Sequence, residues 1–125
     1  MGDLLLAERV VQVARETGFL DGVQKFRGAD LYGHFPPDKV LAICTGSQGE
    51  PLSSLSRASV GKHRQAVIEP GDKVALSTRV IPGNEKAIYR MIDHVYRRGA
   101  EVLYGAMSPP LHVSGHASRQ DLLLL

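Results

Sequence analysis

The chain has 125 residues, 43% apolar and 22% charged, which suits one folded domain with one core and is too short for two comfortable ones. Fifteen Lys and Arg against 13 Asp and Glu give a net charge of +2, which excludes a strongly basic nucleic-acid binder and confines any basic character to local patches. The single cysteine, Cys44, excludes an intramolecular disulfide framework, and no apolar run reaches the length of a membrane span, so the expected setting is cytoplasmic and off the membrane.

From Leu4 to Thr17 the apolar residues Leu4, Ala7, Val10, Val11 and Ala14 recur at helical spacing, and Gly18 supplies a stop. Asp21 to Asp38, with three glycines and Pro36-Pro37, predicts an irregular connection with a helical turn near Ala29-Asp30-Leu31. Val40 to Thr45 is apolar without alternation, the pattern of a strand buried on both faces in a parallel sheet, with Cys44 inside it. Gly46-Ser47-Gln48-Gly49-Glu50-Pro51 then leads into a helix over Leu52 to Ala58. Lys62-His63-Arg64 is a small basic cluster of the kind that covers a solvated face. Val67-Ile68 predicts a short edge strand.

After the turn at Pro70-Gly71-Asp72, Lys73 to Thr78 predicts a second buried strand. It empties into Ile81-Pro82-Gly83-Asn84-Glu85-Lys86 and a helix whose stripe is Ile88, Met91, Ile92 and Val95. His94 lies at the edge of that stripe as a packing or surface residue. Arg97 and Arg98 sit in the last turn, where cations suit the helix dipole, and Gly99 ends it. Glu101 to Tyr104 predicts a third strand. The chain opens directly into a helix and stops within Leu122 to Leu125, so the expectation is a piece of a larger protein.

Strands alternating with helices define an α/β class: a three-layer, mostly parallel Rossmann-like sheet with helices on both faces. Ligands of such sheets bind beyond the carboxyl ends of the strands, and three loops are expected there: Thr45 to Glu50, Pro82 to Lys86, and His112 to Ser118. The third, His112-Val113-Ser114-Gly115-His116-Ala117-Ser118, places two imidazoles, two hydroxyls and a glycine in seven residues, before a possible helix cap at Ser118 with Asp121 three residues on. Backbone N–H groups with imidazoles beside them suit a phosphate. Candidate ligands are Ser47, Gln48, Asn84, Lys86, Ser114 and His116. Gly46 and Gly49 serve either close approach of a ligand or a tight crossover turn, since the loop lacks the Gly-Lys-Ser/Thr ending of a P-loop. His112 and His116 have zinc-like spacing, yet Ser114-Gly115 disfavours a helix there and no nearby Cys, Asp or Glu completes a ligand set. No Gly-x-Ser-x-Gly elbow supports a serine hydrolase.

Three strings together carry a resemblance to a known family. They are Ile43-Cys44-Thr45-Gly46-Ser47-Gln48-Gly49-Glu50-Pro51 with Leu55-Ser56-Arg57, then Ile81-Pro82-Gly83-Asn84-Glu85-Lys86 with Arg97-Arg98-Gly99-Ala100-Glu101-Val102, and the His112 to Ser118 loop. In order and spacing the chain resembles ribonuclease J, a β-CASP member of the metallo-β-lactamase-fold nucleases. The resemblance implies that residues 1–125 are a truncated β-CASP-type domain running into the RNA-specificity region. It further implies a parent enzyme that hydrolyses RNA with two zinc ions, in endonuclease and 5′-to-3′ exonuclease modes, in the bacterial cytoplasm and as a homo-oligomer. Carried over by position, His112, Ser114, Gly115 and Ala117 contact a phosphate or its flanking nucleotide. His116 is the imidazole beside the scissile bond, stabilising the transition state or assisting proton transfer. Ser47, Gln48, Gly49 and Glu50 help to line the pocket.

The departures are absences. The His-x-His-x-Asp-His zinc motif of the metallo-β-lactamase domain is not in this chain, nor are the family's acidic motif and its final His-Gly-Glu loop. The expectation is therefore a segment without metal ligands of its own, inactive alone, whose partners are RNA and the metallo-β-lactamase domain of the same polypeptide. Two other readings come from different classes: a stand-alone nucleotide- or phosphate-binding Rossmann-like module, and an assembly domain that packs apolar surface against another subunit.

Overall fold

In a computed structural model the alternation of helical and strand patterns becomes α1 (Gly2–Glu16), α2 (Ser54–Ser59), β1 (Lys73–Ala75), α3 (Glu85–Arg97), β2 (Glu101–Leu103) and α4 (Arg119–Leu122), with 3-10 turns at Ala29–His34 and Pro37–Lys39. The structure describes residues 2–105, 111–112, 116 and 118–123. β1 and β2 pair in parallel, with Lys73 opposite Glu101, Val74 opposite Val102 and Ala75 opposite Leu103. A parallel pair needs a crossover, and α3 supplies it, so residues 73–103 are one βαβ unit in an α/β fold.

The core follows from the α3 stripe. Ile88, Met91, Ile92 and Val95 recur every three or four residues, and all four are buried. They meet Leu55 and Ala58 of α2, Val102 of β2, and Ile68, Leu76 and Ala100 from the connections. Gly99, at φ +80°, ends α3 as its spacing predicts, and its N–H donates to the Tyr96 carbonyl at 2.8 Å. Arg98 reaches from that end to α2: its Nε donates to the Ser59 carbonyl at 2.7 Å, taking up a carbonyl left over at the α2 C-terminus.

Three expectations are corrected. Val40 to Thr45 forms no strand among the described residues, and Leu41 (91% exposed) and Ile43 (65%) face outward, as does Cys44. An apolar run is buried on both faces only where strands flank it and a layer covers each face, and the described sheet has two strands that do not include it. Val67-Ile68 forms no strand; Ile68 anchors the core singly while Val67 is exposed. The second predicted strand is shorter than expected. Pairing continues through the Leu76 N–H, which donates to the Leu103 carbonyl at 2.8 Å, and then Ser77 and Thr78 leave the ladder for the loop edge.

Helix α1 forms where its periodicity predicts, but none of its described side chains joins the core, and Val10 and Val13 are exposed. Its tie to the following chain is Arg15, which donates to the carbonyls of Val23 and Gln24 and lies 5.6 Å from the Phe26 ring centre.

Candidate functional site

The carboxyl end of β1 is where the loops meet, and Gln48 is the side chain that joins them. Its Nε2 donates to Thr78 Oγ1 at 2.7 Å and to the Arg79 carbonyl at 2.8 Å. Its Oε1 accepts from the Ile81 N–H at 3.1 Å and from Asn84 Nδ2 at 3.3 Å. A primary amide has two donor hydrogens and two acceptor lone pairs, and all four are used within the chain. Gln48 is thus a strut between the Thr45 to Glu50 loop and the Ile81 to Lys86 loop. The expectation that its side chain serves as a direct phosphate ligand meets an amide that is already satisfied.

The two glycines of this loop resolve the choice left open by the sequence. Gly49 has φ +73°, and a Cβ there would stand 2.5 Å from the Ala87 carbonyl carbon in the first turn of α3. Gly46 has φ +120°, and its Cβ would meet Ser53 Oγ at 2.3 Å. Both glycines admit protein rather than ligand, and they let the loop lie flat on two helix starts. Ser53 then caps α2: its Oγ accepts from the Ser56 N–H at 3.3 Å and donates to the Glu50 carbonyl at 2.7 Å.

Two donors of the expected anion pocket are held by the chain's own carboxylates. Glu50 Oε2 accepts from the Gln48 N–H at 3.3 Å, and Glu85 Oε2 accepts from the Gly83 N–H at 2.8 Å. A phosphate would have to displace or avoid these carboxylates. Ser47 is half-buried and Lys86 exposed, and neither side chain has a hydrogen bond or ion pair among the described residues, so both remain available to an anion.

The third loop reaches the same edge at its start. Ser77 Oγ donates to the Leu111 carbonyl, and half-buried His112 sets Nδ1 3.3 Å from the Ser77 carbonyl. A carbonyl only accepts, so this contact requires the proton on Nδ1; Nε2 accepts in the neutral ring and donates to a phosphate in the protonated ring. His116 is exposed. Ser114, Gly115 and Ala117 lie outside the described residues. Of the sequence-predicted residues, the structure therefore gathers Ser47, Gln48, Gly49, Glu50 and Asn84 through one amide and joins His112 to the adjoining Ser77. Sequence reasoning missed Ser77 and Thr78 as the residues that anchor the other two loops. Their hydroxyls follow a strand directly, a local cue, but their partners lie 30 and more residues away.

No group of three or more His, Cys, Asp or Glu side chains that could hold a metal ion occurs among the described residues. The described residues thus do not fit a zinc site, and zinc in the parent would be held outside them. None of the described helices is long and apolar enough to cross a membrane.

Fold and site together define a class: an α/β domain built on a parallel βαβ unit, with connecting loops tied to one another at the carboxyl edge. The family model for the β-CASP domain of ribonuclease J matches residues 6–95. Relatives named ribonuclease J match nearly the whole chain: 42% identity over 121 residues in Mycolicibacterium smegmatis, covering 94% of this chain and 21% of the relative. The Sinorhizobium meliloti protein is 40% identical over 115 residues (92% and 20%), and the Thermus thermophilus protein 41% over 117 residues (91% and 20%). The chain belongs to the ribonuclease J family, with residues 6–95 matching its β-CASP domain, and spans about a fifth of the length of these curated relatives.

Proposed function

We propose that this chain is the RNA-holding part of a ribonuclease J-like nuclease, a phosphate-gripping edge that acts together with the metallo-β-lactamase domain of a longer polypeptide. The observation that carries the reading is the Gln48 strut with the neighbouring His112–Ser77 contact, which ties loops from distant parts of the sequence to one sheet edge. Fixed loops suit phosphate chemistry because the groups that meet charge are positioned before the substrate arrives. Ser47, Lys86 and His112 supply a hydroxyl, a cation and an imidazole at or beside that edge. Ser114, Gly115 and Ala117 complete the grip, and His116 stands next to the scissile bond, offering charge stabilisation or a proton.

In the parent, two zinc ions held outside this chain would supply the activated water for endonuclease and 5′-to-3′ exonuclease cleavage. The parent works in the bacterial cytoplasm and as a homo-oligomer. The 125-residue chain alone is inactive.

Kinetics on the parent test this. His116→Ala lowers kcat by about 10²- to 10⁴-fold, the range for loss of a positioned acid or base, and raises KM about tenfold. His112→Ala raises KM more than it lowers kcat. RNA cleavage by the purified 125-residue chain that survives both chelator and His116→Ala would contradict the reading. So would a reading frame that codes for these residues alone.

A further inference from the structure

Both α2 and α3 start at the loop edge and end at the opposite edge of the sheet, so their C-terminal turns lie together on the far side from the proposed phosphate grip. α3 ends beside the start of β1, where the Gly71 N–H donates to the Gly99 carbonyl at 2.9 Å. α2 ends beside α3 through the Arg98 contact to Ser59. Cations gather there. The Lys62 N–H donates to the Arg57 carbonyl at 2.7 Å, which folds Lys62 back over the end of α2, and a Cβ at Gly61 would meet Arg98 Nη2 at 2.3 Å. Burial, and then the nearby Arg57 charge, hold the His63 imidazole below its ordinary value. Arg64 and Arg97 adjoin these residues in sequence and are exposed.

Glu69, Asp72 and Glu101 lie along the same edge, but among the described residues none of them forms an ion pair with these cations. The two ion pairs among the described residues, Lys39–Asp38 and Lys73–Glu101, involve none of these cations, and Asp93, one turn before Arg97, is not within ion-pair distance of it. Two cations at helix ends would satisfy the helix dipoles, but Lys62 and Arg64 lie beyond any helix and have no such task. Tyr96, in the same last turn as Arg97, exposes half of its surface. An open aromatic ring among unpaired cations suits a single strand, whose bases stack while its phosphates meet the charges.

We propose that Arg57, Lys62, Arg64, Arg97 and Arg98, with Tyr96, form a second contact for single-stranded RNA, at the edge opposite the phosphate-gripping loops. It rests on RNA being the ligand of the proposed function, and it makes the chain a two-point holder. The helix that separates the two points has 13 residues, which at 1.5 Å rise each is about 20 Å. A strand held at both ends is fixed in direction as well as in place.

The test is a titration of the 125-residue chain with a uridine oligomer of about ten nucleotides, within the range of sites that bind single strands, followed by amide NMR. The proposal predicts saturable shifts at residues 57, 62–64 and 96–98. The triple variant Arg57→Gln, Lys62→Gln, Arg64→Gln weakens the binding that they report and flattens the slope of log K against log salt by about 2, three phosphate contacts at about 0.7 each. Arg98 is kept, because it holds the Ser59 carbonyl. Tyr96→Leu weakens binding without changing that slope.

Shifts at this edge without shifts in 45–50 support the second contact and count against the loop grip. Shifts in the loops alone overturn the second contact and leave the grip standing. A polyglutamate of equal charge that moves the same amides as strongly as RNA also overturns the proposal, since it would mark a surface for acidic protein. An unchanged salt slope in the triple variant, with a dispersed spectrum showing that it still folds, overturns it too.

Discussion

Residues 9–44 are at least as apolar in composition as residues 45–105, and the two regions treat their apolar side chains in opposite ways. In residues 45–105 Ile88, Met91, Ile92, Val95 and Val102 are almost completely covered. In residues 9–44 Val10, Val13, Phe19, Leu41 and Ile43 stand open. The difference is not hydrophobicity but neighbours. The α3 stripe has α2, β2 and the connections on its face, whereas Val10, Val13, Leu41 and Ile43 lie outside that cluster. Apolar pattern states what a segment can bury, and only the surrounding chain decides whether it does.

The sharpest way to break that comparison is to truncate one residue from each region. Ile88→Ala, at a fully buried site, costs about 2–5 kcal/mol, while Leu41→Ala changes stability by less than about 0.5 kcal/mol; urea unfolding of both variants measures this. Comparable losses would mean that Leu41 is covered. Gly49→Ala comes next. The left-handed backbone alone costs about 1–3 kcal/mol, and the added Cβ also pushes the first turn of α3 away, so thermal melting falls and the amides of 84–88 shift together.

Gln48→Leu is smaller. It removes four hydrogen bonds and leaves Asn84 and Thr78 without their partner, for about 1–3 kcal/mol, because the half-buried edge lets water replace part of the loss. Hydrogen exchange should speed at Ile81, whose N–H loses its acceptor, and not in β2.

The smallest effect is a pH dependence. His63 Nδ1 accepts from the Ala66 N–H at 2.9 Å and the Gln65 N–H at 3.2 Å, which needs the neutral ring. Burial and Arg57 lower its pKa below the unfolded value of about 6.5, so the unfolded chain binds the proton more readily. Stability from this group is present above that value and is lost as pH falls through the folded pKa. His63→Asn removes that part of the slope below neutrality. An unchanged slope would show that His63 is not the group responsible.

Much of this was legible in the sequence, for identifiable reasons. α3 and its Gly99 stop were readable because a four-residue stripe and a glycine in left-handed backbone are local features. The α/β class and the two paired strands were readable from alternation. Val40 to Thr45 misled because a continuous apolar run records the environment of a complete sheet, and the described chain holds two strands. At the loop edge, composition marked the Thr45 to Glu50 loop but not its mechanics. Nothing local says that Gln48 spends its whole amide on residues 30 to 36 positions away, or that Glu50 and Glu85 occupy donors expected for a ligand.

The measurement that bears most directly on the phosphate grip is a titration of the chain with a 5′-phosphorylated RNA dinucleotide, wild type against His116→Ala. The account predicts saturable amide shifts in 45–50, 84–86 and 112–116, with affinity weakened about tenfold or more in the variant, the loss of one hydrogen bond to a charged group. Saturable binding that leaves those loops unmoved, or that His116→Ala does not weaken, would contradict it.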